Sequence, residues 1–124
     1  MRNESNPVAT AYSAREIVLS CVQALNQEDF KTARNYVTDN MSFVGVLGSR
    51  DGADAYFSDM EKMKLKYSIK KVFSSDDDVC LLYDLKISGK TIFGCGWYHV
   101  EDGKIESLKV IFDPRPLLDQ PGKE

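Results

Sequence analysis

The chain has 124 residues, of which 43% are hydrophobic and 28% are charged, and this length and composition predict one globular domain with a single core. The formal net charge of -3 and the pI near 5.2 argue against a surface for nucleic acid or anionic membranes, because such surfaces depend on clustered lysine and arginine. The sequence has no apolar run of the roughly 20 residues that a membrane span needs, and its first residues lack the apolar core of a signal peptide, so we predict a cytoplasmic protein.

The polar residues at the two ends predict short tails around the domain. Residues 1–9 are expected to form a flexible N-terminal tail, and residues 119–124 a C-terminal tail. The single domain is therefore predicted at residues 10–118.

The cysteine and histidine content gives no indication of a metal site. Cys21, Cys80 and Cys95 are three cysteines at unrelated spacings, so neither a disulfide framework nor a Cys-x-x-Cys site is expected. Because the chain has one histidine, a structural zinc site is not expected either. We predict no metal and no cofactor.

Three helices are predicted from apolar residues at helical spacing, at residues 14–25, 30–37 and 53–63. Each follows a residue whose side chain can accept a hydrogen bond from a free backbone N–H. The predicted caps are Ser13, which forms a capping box with Glu16, then Asp29, and then Ser49 or Asp51.

Five strands are predicted from alternating or continuous apolar residues. The first covers residues 41–47, and the next two cover residues 65–73 and 79–87, with Val79, Leu81, Tyr83, Leu85 and Ile87 on one face of the third. The last two form a hairpin at residues 92–112. The order α-α-β-α-β-β-β-β indicates an α+β domain with helices on one face of a mainly antiparallel sheet.

The hairpin turns at Asp102-Gly103, a dipeptide typical of a two-residue type I′ turn because both residues tolerate positive φ. A regular hairpin with this turn places His99 opposite Glu106 and Trp97 opposite Leu108. One face then collects Phe93, Cys95, Trp97, Leu108, Val110 and Phe112, and the other face includes Ile92, Tyr98 and Ile111. Both faces are too apolar for ordinary solvent surface, so we predict that the first lines a pocket and the second meets another subunit.

The chain resembles the NTF2-like superfamily, in particular its SnoaL-like and ketosteroid-isomerase-like members. The resemblance rests on the order and spacing of ALNQEDF, ARNYV, MSFVGV, DGADAYF and VEDGKIESLKVIFDP, and it covers about residues 10–118. It implies a cone, in which a strongly curved sheet wraps around three N-terminal helices and encloses a pocket. It also implies a homodimer formed through the outer sheet face, here represented by Tyr98, Ile111 and Ile92.

The catalytic residues of well-known members have no counterpart at the matching positions. The ketosteroid-isomerase-like pattern needs an aspartate base, a tyrosine and a protonated aspartate, and the matching positions hold Gly45, Cys21 and Trp97. The epoxide-hydrolase-like and cyclase-like patterns need polar groups on the last strand, where Val110 and Leu108 stand. Hydrocarbon side chains cannot supply general acid-base catalysis.

The predicted pocket is therefore mainly apolar and aromatic, which suits a small apolar ligand, although the same residues could simply fill the core. Three residues remain as catalytic candidates: Tyr83, the thiol of Cys95, and His99. His99 could be a general base held by Glu106, or the two could form only a structural hydrogen-bonded pair. Asp54 and Asp59 are expected to be solvated. The predicted pocket residues are Cys21, Phe43, Tyr56, Leu81, Tyr83, Leu85, Phe93, Cys95, Trp97, Leu108 and Val110.

Three functions are compatible with this sequence. The leading hypothesis is a homodimer that binds a small, mostly apolar or aromatic molecule and lacks the known catalytic set. The alternatives are an isomerase, dehydratase or cyclase that uses a non-standard polar residue, and a scaffold that binds other proteins.

Overall fold

A computed structural model describes residues 13–118, so the predicted tails at residues 1–9 and 119–124 lie outside the described residues. The predicted α+β class is confirmed, with one short strand and one short C-terminal helix added to the predicted order. The elements are α1 (Ala14–Asn26), α2 (Phe30–Arg34), β1 (Val37–Gly45), β2 (Gly48–Asp51), α3 (Ala53–Met63), β3 (Lys66–Ser75), β4 (Asp78–Ile87), β5 (Lys90–Glu101), β6 (Lys104–Phe112) and α4 (Arg115–Leu118).

The six strands form one curved sheet in the order β2-β1-β6-β5-β4-β3. All neighbouring strands are antiparallel except β1 and β6, which run parallel. Helix α1 packs on the concave side against β3 and β4, and α3 packs against β1. No helix within residues 13–118 has the length and apolarity to cross a membrane.

The first helix begins as predicted, while the second is shorter and the third has a different cap. Ser13 and Glu16 form the capping box of α1. Helix α2 ends at Arg34 and Val37 starts β1, because the backbone there pairs with β6, where the Ile105 amide donates to the Tyr36 carbonyl. Gly52, with φ 95°, precedes α3. The predicted caps Ser49 and Asp51 instead pair with β1 as part of β2.

A side-chain amide fixes the end of α1 to strand β3. Asn26 Nδ2 donates to the Tyr67 carbonyl at 2.9 Å, and the Tyr67 amide donates to Asn26 Oδ1 at 2.7 Å. The Lys66 ammonium adds a 2.8 Å hydrogen bond to the Asn26 carbonyl. Asn26 thus acts as one more hydrogen-bonding partner at the edge of the sheet, which positions Tyr67 inside the cone.

A bulge in β6 changes the predicted pairing of the last hairpin. The turn itself is as predicted, with positive φ at Asp102 and Gly103 and with Val100 paired to Ile105. Beyond this pair the register shifts, so that His99 faces Ser107 and Glu106 is the extra residue.

The shift exchanges the two faces of β5 relative to the prediction, since a one-residue slip moves every side chain to the other side of a strand. Tyr98 is 3% exposed and lies inside, whereas Trp97 is 49% exposed and lies outside. On β6, Leu108 and Val110 face inward as predicted. A second bulge, between Ile69 and Lys71 of β3, has the same effect and leaves Phe73 outside.

The inner face of β5 has two glycines where the ring of Tyr83 crosses it. A Cβ atom at Gly96 would lie 3.1 Å from the Tyr83 hydroxyl oxygen and 3.1 Å from a ring carbon of Tyr98. A Cβ atom at Gly94 would lie 3.3 Å from the Ile111 carbonyl oxygen and 3.4 Å from the Tyr83 ring. The glycines therefore allow a buried aromatic ring to lie directly on the backbone of β5.

We predict that Gly96→Ala lowers the free energy of unfolding by about 1–3 kcal/mol, because the added methyl group forces Tyr83 or Tyr98 to move. Chemical denaturation measures this change. Thr91→Ala, at an exposed position of the same strand, is the matched control and should have a smaller effect. An unchanged stability in Gly96→Ala would contradict the tight contact.

Candidate functional site

The concave face of the sheet, α3 and the β1–β2 hairpin enclose a cavity of about 340 Å³. Its wall is formed by all six strands, and α3 and the C-terminal Leu117 close two of its sides. Exposed apolar residues at the turn between β1 and β2, among them Leu47 at 58% exposure, form the rim of the cavity. The lining is mainly apolar and aromatic, and includes Phe43, Val46, Tyr56, Met60, Met63, Leu65, Tyr67, Tyr83, Leu85, Ile87, Ile92, Leu108, Val110 and Phe112.

Three buried tyrosines supply polar groups to the cavity wall. The Tyr67 and Tyr83 rings meet edge to face with centroids 5.1 Å apart, and Tyr56 contacts Phe43 at 5.4 Å. Burial raises the pKa of Tyr56, of Tyr67 and of Tyr83 above the ordinary tyrosine value. These phenols therefore stay neutral at physiological pH and can donate or accept hydrogen bonds.

An ion pair between β2 and α3 is the charged part of the described lining. Arg50 Nε lies 2.7 Å from Asp59 Oδ2, and Arg50 Nη2 lies 3.5 Å from Asp59 Oδ1. The hydrogen bond from Arg50 lowers the pKa of Asp59, and the same contact raises the pKa of Arg50. Both groups are thus ionised, and their charges cancel. The paired carboxylate is a weak base.

Six of the eleven predicted pocket residues line the cavity. Two more, Cys21 and Leu81, are buried in the core without reaching the cavity wall. The Cys21 Sγ lies 3.6 Å from the Ala33 carbonyl oxygen, and burial raises the pKa of this thiol to about 12. The six that line it are Phe43, Tyr56, Tyr83, Leu85, Leu108 and Val110.

The other three predicted pocket residues lie on the outer face of the sheet, so that part of the prediction is wrong. Phe93 and Trp97 are 59% and 49% exposed, and Cys95 is half-buried between them. The cause is the bulge at Glu106, which a regular hairpin does not include. The inward positions next to Trp97 are Gly96 and Tyr98, which also carry no carboxyl group.

Two of the three residues predicted on the partner face lie inside the cone instead. Ile92 and Tyr98 are each 3% exposed and face the interior, whereas Ile111 is 69% exposed and faces outward as predicted. The outer face carries four exposed apolar side chains that we call the outer apolar patch: Phe73, Phe93, Trp97 and Ile111.

His99 lies on the outer face, away from the cavity. Its Nδ1 is 3.0 Å from Asp78 Oδ1 and its Nε2 is 2.9 Å from Glu101 Oε2, so its partner is Glu101 where Glu106 was predicted. The hydrogen bonds to Glu101 and Asp78 raise the pKa of His99. Ligand atoms of His99, Glu101 and Glu106 lie within 4.8 Å of one another and could hold a metal ion, although exposed acidic groups are common without one.

The Arg50–Asp59 pair and the contribution of Tyr67 to the cavity were not predicted from the sequence. Asp59 was expected to be solvated, and residues 48–51 lack the apolar alternation that predicts a strand. Asp59 stands three residues after Tyr56 and four before Met63, and this spacing on α3 was available as a signal that it shares their face. The pairing of Asp59 with Arg50 could not be predicted in this way, because it depends on how β2 packs beside α3.

Comparison with known proteins places this fold in a family. The model of the SnoaL-like domain matches residues 18–108. None of the proteins of curated function matches the sequence. Among solved structures, an NTF2-like protein of unknown function from Cytophaga hutchinsonii shares 44% identity, with 96% of this chain and 100% of that chain covered and a TM-score of 0.84.

Two more distant structures are similar in fold alone. A candidate ketosteroid isomerase from Kribbella flavida is 10% identical, with 90% and 91% of the two chains covered and a TM-score of 0.74. An LEH-like epoxide hydrolase from M. tuberculosis is 22% identical, with 82% and 84% covered and a TM-score of 0.70. The family match, the cavity and the curved sheet agree: the chain belongs to the SnoaL-like domain family and has the NTF2-like fold.

Proposed function

We propose that the protein binds a small, mainly apolar or aromatic molecule inside the cone, without the catalytic groups known from its relatives. The observation that carries this proposal is the cavity of about 340 Å³, whose wall is mostly hydrocarbon and aromatic. Sites of this size and character, with a few polar groups that orient the ligand, are typical of small-molecule binding.

The polar groups of the cavity favour binding over acid-base catalysis. The three phenols stay neutral, so they can orient a carbonyl or hydroxyl group of a ligand but cannot act as bases. Asp59 is the one carboxylate among the described lining residues, and its contact with Arg50 lowers its basicity. The alternative, an enzyme of isomerase, dehydratase or cyclase type, would use Asp59 to remove a proton, and the position of this carboxylate at the cavity is the observation that favours it.

We also propose that two copies pair through the outer apolar patch and that the protein is cytoplasmic. The patch supports a second copy because Phe73, Phe93, Trp97 and Ile111 expose apolar surface on one side of a single sheet. A two-fold axis would bring each patch onto its own equivalent, which is how isologous dimers bury such surfaces. Binding of a different protein at this face is the scaffold alternative.

We predict that Val110→Trp weakens binding of N-phenyl-1-naphthylamine, a neutral apolar fluorescent probe, by about tenfold or more, because the indole occupies the cavity. Ile111→Trp is the matched control, since the next residue points to the outer face and should leave the affinity unchanged. Probe fluorescence measures the affinity and circular dichroism checks the fold. Equal binding by both variants, or none by the wild-type protein, would contradict the proposed pocket.

We predict that the affinity for this probe is constant between about pH 5 and pH 9. The pKa of Asp59 is lowered, so the pair with Arg50 is lost only when the pH falls through that lowered value. The tyrosine pKa values are raised, so the phenols stay neutral throughout. A bell-shaped pH profile of binding in this interval would contradict the assignment and favour a titrating catalytic group.

We predict that the wild-type protein is a dimer and that Phe93→Glu or Ile111→Glu converts it to a monomer, because a charge at the patch cannot be desolvated without a partner. Analytical ultracentrifugation measures the mass. Leu47→Glu, at an exposed apolar residue on the cavity rim, is the control and should remain dimeric. A monomeric wild-type protein at high concentration would refute the proposed homodimer.

A further inference from the structure

The outer face carries two thiols in contact, a pair that the proposed binding function does not use. Cys80 of β4 and Cys95 of β5 are free cysteines, and their Sγ atoms are 3.1 Å apart. In the register of the two strands Cys80 faces Trp97 and Leu82 faces Cys95, so the cysteines are diagonal neighbours on the same face. Both side chains are half-buried.

We propose that Cys80 and Cys95 form a reversible disulfide when the protein meets a hydroperoxide, which makes this pair a redox modification site. The two sulfur atoms need to approach by only about 1 Å to reach the disulfide bond length. Adjacent strands already hold the two side chains on one face, with the sulfur atoms in contact.

The reaction balances with the hydroperoxide as the oxidant. One thiolate attacks the peroxide oxygen, the O–O bond breaks, and a sulfenic acid forms while water or an alcohol leaves. The second sulfur then attacks the sulfenic sulfur, the S–S bond forms, and a water molecule leaves. Two thiols lose two electrons in total, the peroxide gains them, and a dithiol reductant reverses the change.

The surroundings of Cys95 limit the rate of this reaction through the pKa of its thiol. Burial and the neighbouring Cys80 raise the pKa of Cys95 to about 11, so its thiolate is a minor species at neutral pH. Because the thiolate is the nucleophile, oxidation should be slow at pH 7 and faster at pH 9. Cys21 is different, since it is 3% exposed and its sulfur contacts a backbone carbonyl.

The disulfide would constrain strand β5, whose inner face lies against the cavity residue Tyr83. Cys95 stands between Gly94 and Gly96, whose inner sides contact Tyr83. The link would join β4 to β5 behind this ring and close a loop between cysteines 15 positions apart. Closing a loop of this size restricts the unfolded chain, so the oxidised protein should unfold at a higher temperature.

The experiment treats the full chain with hydrogen peroxide at pH 7 and pH 9, alkylates remaining thiols after denaturation, and maps the peptides by mass spectrometry. We expect a Cys80–Cys95 link with Cys21 alkylated, and a Tm about 5–10 °C above that of the reduced protein. Cys80→Ser and Cys95→Ser should show neither effect. Cys21→Ser should form the Cys80–Cys95 link and show the same rise of the Tm on oxidation as the wild-type protein.

The treatment is repeated at low protein concentration, because a dimer formed through the outer apolar patch would shield both thiols. Separate oxidation of each cysteine without a link, or full alkylation of both at every concentration, would overturn the proposal. An equal rise of the Tm in Cys80→Ser would show that the stabilisation has another source and would overturn it as well.

Discussion

The contact between Tyr83 and strand β5 determines which side of the sheet becomes the cone. A buried tyrosine ring can lie on a neighbouring strand only where that strand lacks side chains, and Gly94 and Gly96 provide this place. Tyr98, the next inward residue of β5, is buried beside Gly96. Phe93 and Trp97, which alternate with these residues along β5, are thereby placed on the outer face.

The sequence predicted the features that depend on local pattern. The capping box at Ser13, the inward face of β4 and the turn at Asp102-Gly103 rest on residues that are close in the chain, and the structure contains all three. The faces of β5 were wrong because they depend on the bulge at Glu106, and a regular alternation gives no sign of one extra residue. The Arg50–Asp59 pair depends on β2, which forms only against β1.

The chemistry of the cone follows from how its polar groups are compensated. Buried phenols stay neutral because a charge there would lose its hydration, and the ion pair neutralises itself at the wall. The remaining surface is mainly hydrocarbon. Membership of the SnoaL-like domain family gives the fold of this chamber but no reaction, since members of one fold differ in the residues that line it.

The proposed binding function requires an open apolar cavity on the side of β5 that carries Gly96 and Tyr98. A crystal of the protein exposed to xenon gas tests both whether the cavity is open and on which side of β5 it lies, because xenon occupies apolar cavities and scatters strongly. We expect xenon beside Tyr83, Leu108 and Val110. A crystal without xenon at this position would mean that side chains, for example Phe93 and Trp97 turned inward, fill the cone, and would refute the open cavity.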